Sequence, residues 1–217
     1  MTALWGGFLE IFQVSLFWLT QFYGGQLASA IVTFSLVARV ALLPFTVRLA
    51  LRARAQARSL QKIRPQLERV RARWAKDPQR LMKESMVVYE REGVKPMDMG
   101  LLKGGLAQTP VFLGLFQAVR VALAQPGAGQ PFLWIANLSR PDVGVAVLAM
   151  SLMGLSTAAG ASQAQPNWAL AVPVISGGVM ALTFSAGFGL YLASTGLVGT
   201  LQGLIVRRIE AGDALGA

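Results

Sequence analysis

An apolar run that carries a single arginine constrains this chain most. Residues 27–45 contain no other charged side chain, and their 19 residues approach the roughly 20 that a helix needs to cross a hydrocarbon core of about 30 Å. Arg39 lies 12 residues from the start of the run, a depth of about 18 Å at about 1.5 Å per residue. Placing this permanent charge in lipid costs about 3 to more than 10 kcal/mol. We therefore expect Arg39 to face water or a binding partner.

The composition indicates a polytopic membrane protein. Of the 217 residues, 54% are hydrophobic and 14% are charged, with a mean hydropathy of +0.51, whereas soluble domains carry about 25% charged residues. The chain has no cysteine and no histidine, which excludes disulfides, thiolate zinc sites and Ser-His-Asp catalysis. We expect no metal, no cofactor and no enzymatic activity.

Positive charge is concentrated in one segment. Residues 48–103 hold 15 of the 20 Lys and Arg residues and 6 of the 10 Asp and Glu residues, so 9 of the 10 net positive charges lie there. Such loops are retained in the cytoplasm and attract anionic lipid headgroups. Apolar residues spaced 3 and 4 apart predict a first helical arm, and residues 76–78 predict the turn into a second arm. In that arm we expect Met82, Met86 and Tyr89 to pack against the first.

The predicted fold is an all-α integral membrane protein with five transmembrane helices. The segments are an interfacial amphipathic helix over 1–25, spans over 26–47 and 100–124, a basic cytoplasmic helical hairpin over 48–99, an extracytoplasmic loop over 125–142, the third to fifth spans over 143–206, and a short cytoplasmic tail over 207–217. A first membrane span is the alternative for residues 1–25. Charge bias predicts the N-terminus outside and the C-terminus in the cytoplasm, because the hairpin and Arg207 then share one side.

Polar side chains at membrane depth are the candidates for a binding site. Ser35 lies one turn before Arg39, and no acidic residue occurs in the predicted spans to pair with that arginine. Gln108 lies in the first half of the predicted second span, two residues before Pro110. The structural alternatives are an arginine that extends to the interface and a glutamine that joins two helices. Polar residues of the last span, including Gln202, are assigned to helix packing.

Several motifs follow one another in order between about residues 27 and 206. They are the arginine-bearing stretch 36–45, Ile63-Arg64-Pro65, residues 86–97 with Tyr89 and Gly93, Gln108-Thr109-Pro110 and Phe112, the outer-loop residues 132–142, and the turn 184–191 with Tyr191. Together they resemble the YidC/Oxa/Alb family of membrane protein insertases, in a minimal bacterial form. The sequence departs from the family pattern at Lys95, Asn137, Ser185 and Leu192, where the family tends to have Asn, Asp, Pro and Trp. Because Leu192 stands where the family has Trp, that position offers neither a polar nor an aromatic side chain.

The resemblance implies a hydrophilic groove lined by Arg39, Gln108 and Ser35, and a hairpin that captures clients through Arg64, Pro65 and Tyr89. It also implies a multi-pass protein of the bacterial cell membrane whose partners are nascent membrane proteins and the lipid bilayer. Clients would leave the groove sideways into lipid without nucleotide hydrolysis. A Sec translocon and the ribosome are candidate further partners, although the nine residues after Arg208 provide no long basic tail for ribosome binding.

Other classes of function remain as alternatives. The main one is a small anion transporter or channel that uses Arg39 as its binding charge, although no second half repeats the first, as it does in many transporters. A membrane-bound enzyme lacks the residues for catalysis. Specific nucleic-acid binding by the hairpin is not expected, because Trp74 and Tyr89 are its only aromatic residues to stack on bases.

Overall fold

The computed structural model describes residues 2–95, 99–161 and 167–215, with most of their side chains. Its helices are α1 (Thr2–Phe22), α2 (Leu27–Arg73), α3 (Pro78–Arg91), α4 (Met99–Leu123), α5 (Val143–Gly160), α6 (Asn167–Thr183) and α7 (Ala186–Leu215). Within the described ranges, β pairing is limited to one isolated bridge between Phe132 and Ile135. The all-α class predicted from the sequence is confirmed.

Three of these helices are long and apolar enough to cross a membrane, judged by length and composition. They are α2, α5 and the first 27 residues of α7, Ala186–Gly212. Helices α4 and α6 contain shorter apolar stretches, Thr109–Leu123 and Leu170–Thr183. Several apolar helices in one chain define a multi-pass membrane protein.

The chain forms two compact units, whose boundary in α2 falls between Val47 and Arg48. Unit 1 comprises Met1–Val47, Gln108–Ala161 and Gln165–Ala217, and unit 2 comprises Arg48–Ala107. Helix α2 continues through Pro44, since a proline removes one backbone hydrogen bond without having to end a helix. Helix α7 continues to Leu215, so most of the predicted tail is helical.

Helices α5 and α7 pack closely because small residues line their contact. Val145, Ala146 and Ala149 of α5 are fully buried. A Cβ atom added at Gly196 of α7 would lie 2.6 Å from the carbonyl carbon of Leu152, so the two backbones approach as closely as glycine allows. This contact fixes the position of α7 in unit 1.

The loop between α4 and α5 holds the start of α7. The backbone amides of Ala186 and Gly187 donate to the carbonyls of Arg140 and Leu138, at 2.7 and 3.0 Å. Within the loop, the side chain of Asn137 accepts from the amide of Ser139 at 2.9 Å. The first backbone donors of α7 are therefore satisfied by the loop.

Helix α1 has apolar side chains on both of its faces. On one face Leu16 is buried, Phe12 meets Phe34 of α2 edge-on with ring centroids 5.8 Å apart, and the hydroxyl of Tyr23 lies 2.9 Å from that of Thr33. On the other face large side chains are exposed, among them Phe17, Trp18 and Phe22. The face of α1 that contains Phe12 and Leu16 thus packs on the protein, and the opposite face is open.

Unit 2 contains the basic half of α2 together with α3. Asp77 caps α3, since its carboxylate accepts from the amide of Arg80 at 3.0 Å. Ile63 is buried, and the amide of Gln66 donates to Glu92 at 3.1 Å. The prediction that Met82 and Met86 pack against the first arm is wrong, because their side chains are 71% and 44% exposed. The half-buried positions of α3 are Leu81, Ser85, Val88 and Tyr89.

Candidate functional site

Arg39 places its guanidinium against α7. Its Nη2 atom donates to the hydroxyl of Tyr191 at 3.3 Å, and its Cζ atom lies 5.7 Å from the centroid of that ring. Its Nε atom is buried and has no hydrogen-bond partner among the described residues. The partner hydroxyl is neutral, so it satisfies one donor without cancelling the charge.

Tyr191 is held rigidly by the aromatic side chains around it. The ring is fully buried, and its centroid lies 6.0 Å from that of Phe112 in α4 and 5.5 Å from that of Phe188 in α7. One turn later, the hydroxyl of Thr195 donates to the carbonyl of Tyr191 at 2.9 Å. The position of the phenol is therefore fixed, and its hydroxyl orients the side chain of Arg39.

A cavity of about 170 Å³ opens beside this pair. Its lining residues come from α2, α4 and α7: Arg39, Leu42, Thr46, Val111, Phe112, Leu115, Val198, Gly199 and Gln202. Arg39 is the one charged group in that lining, and the amide of Gln202 donates to the carbonyl of Thr46 at 3.5 Å. At about 30 Å³ per molecule, the volume suits a handful of waters or a small polar group. The cavity favours hydrogen-bond acceptors and negative charge.

The other predicted groove residues have different surroundings. Ser35 is fully buried, and its hydroxyl donates to the carbonyl of Ile31 at 2.7 Å within α2. It is not among the residues that line the cavity. Gln108 lies in α4, but its side chain is outside the described residues. Leu192, the departure from the family pattern, is buried in the core of unit 1.

The predicted capture residues belong to unit 2. Arg64 is exposed and its Nε atom lies 2.9 Å from a carboxylate oxygen of Glu68, a surface pair of small energetic value. Pro65 is exposed as well. Tyr89 lines a cavity of about 290 Å³ together with Met86, Glu90, Gly93, Val94 and Lys95. In the described part of the chain, no group of three acidic side chains is arranged to hold a metal ion.

Two residues of α7 near Arg39 were not predicted as site residues, namely Tyr191 and Gln202. Tyr191 accepts a hydrogen bond from Arg39, and Gln202 lines the same cavity. A signal for them exists, because Tyr191, Thr195 and Gln202 fall at helical spacing on one face of α7. From the sequence, Tyr191 was named only as part of a family motif, and Gln202 was assigned to helix packing. Their common face becomes meaningful only when α7 is placed beside α2.

The helices that are long and apolar enough to cross a membrane define a multi-pass membrane protein. Within it, a half-buried arginine lines a cavity. The profile of the family described as 60Kd inner membrane protein matches residues 18–213. The chain therefore belongs to this family, which is the YidC/Oxa/Alb family recognised in the sequence.

Individual relatives agree with this assignment. A membrane protein insertase YidC of Caldanaerobacter subterraneus subsp. tengcongensis is 27% identical over 188 residues, which are 86% of this chain and 87% of the relative. A YidC of Clostridium tetani is 29% identical over 120 residues, 55% of this chain and 51% of the relative. The chloroplastic inner membrane ALBINO3-like protein 2 of Chlamydomonas reinhardtii is 31% identical over 52% of this chain and 25% of the relative. The chain spans about half the length of the Clostridium relative and of a YidC 2 from Listeria monocytogenes.

Proposed function

We propose that this chain is a membrane protein insertase and chaperone, which captures hydrophobic clients in a positively charged groove centred on Arg39. The observation that carries the proposal is the half-buried guanidinium of Arg39, which has a neutral partner in Tyr191 and an unsatisfied Nε atom beside a cavity. An arginine without an acidic partner among apolar helices is costly, and such residues usually mark a functional site. The similarity to the YidC membrane protein insertases supports the same function.

The proposed arrangement has five spans. They are the apolar half of α2 and helices α4, α5, α6 and α7, with α1 lying in the membrane interface. The N-terminus would be outside and the C-terminus in the cytoplasm, which keeps the basic segment of residues 48–103 inside. The lengths and hydropathy of α2, α5 and α7 support this arrangement.

In the proposed mechanism, a polar segment of the client first meets Arg39. A client carboxylate would supply the hydrogen-bond acceptor that the Nε atom of Arg39 lacks. A charge-assisted hydrogen bond of this kind is about twice as strong as a neutral one. Thr46 and Gln202 in the cavity lining, together with Gln108, would lower the cost of bringing peptide groups into the membrane. The segment is thereby held where water is scarce until it crosses.

Release would follow from the client's own hydrophobicity. Each Leu, Ile, Phe or Val at the centre of a helix favours insertion by about 0.3 to 0.6 kcal/mol, so a span of about 20 apolar residues moves sideways into lipid without nucleotide hydrolysis. The membrane potential adds to this drive for acidic segments. The basic unit 2, through Arg64, Pro65 and Tyr89, would make the first contact with the nascent chain, with a Sec translocon and the ribosome as candidate partners.

The test is insertion into proteoliposomes of a single-span client with an acidic outer segment, measured by protease protection. Arg39→Ala should reduce insertion at least about tenfold, a loss of about 1.4 kcal/mol. Arg48→Ala, which removes an exposed charge from the same helix, is the matched control and should insert normally. Normal insertion by Arg39→Ala, combined with an anion flux that depends on Arg39, would replace the insertase by the anion transporter.

A further inference from the structure

A second cleft in unit 1 combines one free positive charge with an aromatic wall. Its volume is about 230 Å³. It is lined by Phe116, Val119, Arg120, Leu123 and Ala124 at the end of α4, by Phe184 and Ser185 in the turn between α6 and α7, and by Phe188 in the first turn of α7. It shares no lining residue with the cavity at Arg39. We propose that this cleft binds one anionic phospholipid, with the phosphate at Arg120 and an acyl chain along the phenylalanine wall.

The apolar wall consists of three phenylalanines that hold one another in place. Phe116 meets Phe184 and Phe188 edge-on, with ring centroids 6.0 and 5.1 Å apart, and those two rings lie 5.2 Å apart. Phe188 is buried, whereas Phe184 remains 42% exposed. Tilted rings of this kind are a stable packing. The wall is therefore a preformed apolar surface with one ring open to an added chain.

The polar end of the cleft lies where α4 ends. Arg120 is three residues before Leu123, the last residue of the helix, which places its Cα atom about 5 Å from the helix end. That depth brings the exposed guanidinium to the level of lipid headgroups. Among the described residues it makes no ion pair and no contact with an aromatic ring. Its charge is available to an external anion.

The hydroxyl of Ser185 adds a second donor to the same cleft. It makes no side-chain hydrogen bond within the described part of the chain, while its backbone carbonyl accepts from the amides of Phe188 and Gly189. The first amides of α7 already donate to the α4–α5 loop, so they are not free for an anion. Recognition rests on the guanidinium and the hydroxyl, and arginine matches phosphate oxygens in a planar, two-point geometry.

The chemistry of the lining selects an anionic amphiphile. No acidic side chain lines the cleft, so the charge of Arg120 is not cancelled there. The apolar phenylalanine wall lies beside it. A phosphodiester with an attached acyl chain matches both, whereas a soluble phosphate would leave the phenylalanines exposed. This inference rests on the proposed placement of α4 across the membrane but not on the insertase activity, because Arg120 and Arg39 belong to separate cavities.

The test is retention of lipid by the full chain, measured by native mass spectrometry after purification with equal amounts of phosphatidylglycerol and phosphatidylcholine. We expect the native chain to keep one phosphatidylglycerol. Arg120→Gln should lower its occupancy about fivefold, the effect of about 1 kcal/mol that one basic residue contributes beside anionic lipid. Arg140→Gln, an exposed arginine that does not line the cleft, is the matched control and should leave occupancy unchanged.

A second variant tests the apolar half of the site. Ala124 is exposed at the cleft, and Ala124→Phe fills the space without changing the charge, so it should also lower occupancy about fivefold. Thermal unfolding of each variant verifies its folding. Equal retention of the two lipids, full retention by Arg120→Gln or by Ala124→Phe, or displacement of the lipid by millimolar glycerol phosphate would each overturn the proposal. So would crosslinking of an acidic client segment at position 124 that competes with the lipid.

Discussion

The guanidinium of Arg39 and the phenol of Tyr191 meet at 3.3 Å although the two residues lie 152 positions apart in the chain. The phenol is fixed by Phe112 and Phe188, so it orients the arginine. Being neutral, it leaves the positive charge uncompensated. An acidic partner at the same point would have cancelled the charge that the proposed groove needs. The pair therefore stabilises the position of Arg39 while preserving its attraction for anions.

Tyr191→Phe separates these two effects. The substitution keeps the ring packing and removes the hydroxyl, which is worth about 1.5 to 3 kcal/mol as a partner of a charged donor. We expect Arg39 to lose its fixed orientation, and insertion of a client with an acidic segment to fall about threefold in the protease-protection assay. Tyr23→Phe removes a hydroxyl between α1 and α2, remote from the cavity, and should insert as the native chain does. Equal rates for both variants would contradict an orienting role for Tyr191.

Gln202→Glu tests the sign of the charge in the cavity. The new carboxylate lies in the lining that contains Arg39 and should pair with it, because an opposite charge within a few ångströms favours the ionised carboxylate. We expect insertion of acidic clients to fall about tenfold. Gln202→Met has a similar shape without the charge and should lower insertion less than threefold. Parallel assays of the two variants measure the difference, and equal losses would exclude electrostatic attraction as the cause.

Gly196→Ala tests the close contact between α5 and α7. The added methyl group would lie 2.6 Å from the backbone of Leu152, and overpacking of this kind costs about 1 to 3 kcal/mol. For a chain of this size we expect the Tm in detergent to fall by about 3 to 10 °C. At Gly212 a methyl group meets nothing within 4 Å. Gly212→Ala should therefore leave the Tm unchanged or raise it slightly, and a similar fall in both variants would refute the contact.

Asp77→Ala tests the start of α3. Asp77 accepts from the amide of Arg80, and loss of such a cap costs about 1 kcal/mol. Hydrogen exchange of the first-turn amides of α3 should accelerate about fivefold, while exchange in α5 and α7 should not change. Glu68→Ala removes an exposed carboxylate whose partner is Arg64 and serves as the control. Uniform acceleration throughout the chain would mean that the substitution acts globally.

Local features of the fold were accessible from the sequence. The predicted turn at residues 76–78 coincides with the Asp77 cap and with Pro78 as the first residue of α3, because capping depends on neighbours in the chain. The unusual chemistry of Arg39 was also accessible, since an arginine in an apolar run is costly wherever its partners lie.

Features that depend on packing between distant segments were not accessible. Tyr191 becomes the partner of Arg39, and Gln202 a neighbour in the same cavity lining, only through the placement of α7 beside α2. Gly196 and its close neighbours govern the placement of α7 against α5. Met82 was misplaced for a related reason, because a periodic pattern gives the spacing of a stripe but not which of two adjacent stripes faces the partner. Helix α1 illustrates the same limit, since it is apolar on both faces.

Contact between clients and the cavity at Arg39 can be observed by site-specific photocrosslinking. The probe is placed at position 202, and the target is a stalled single-span nascent chain with an acidic outer segment. Position 172, an exposed apolar site on α6, is the control for contacts made through lipid. We expect crosslinks from position 202 to the acidic segment, abolished when that segment is made neutral, and none to that segment from position 172. Crosslinks of equal strength from both positions, or none from position 202 in a folded protein, would show that clients do not use this cavity.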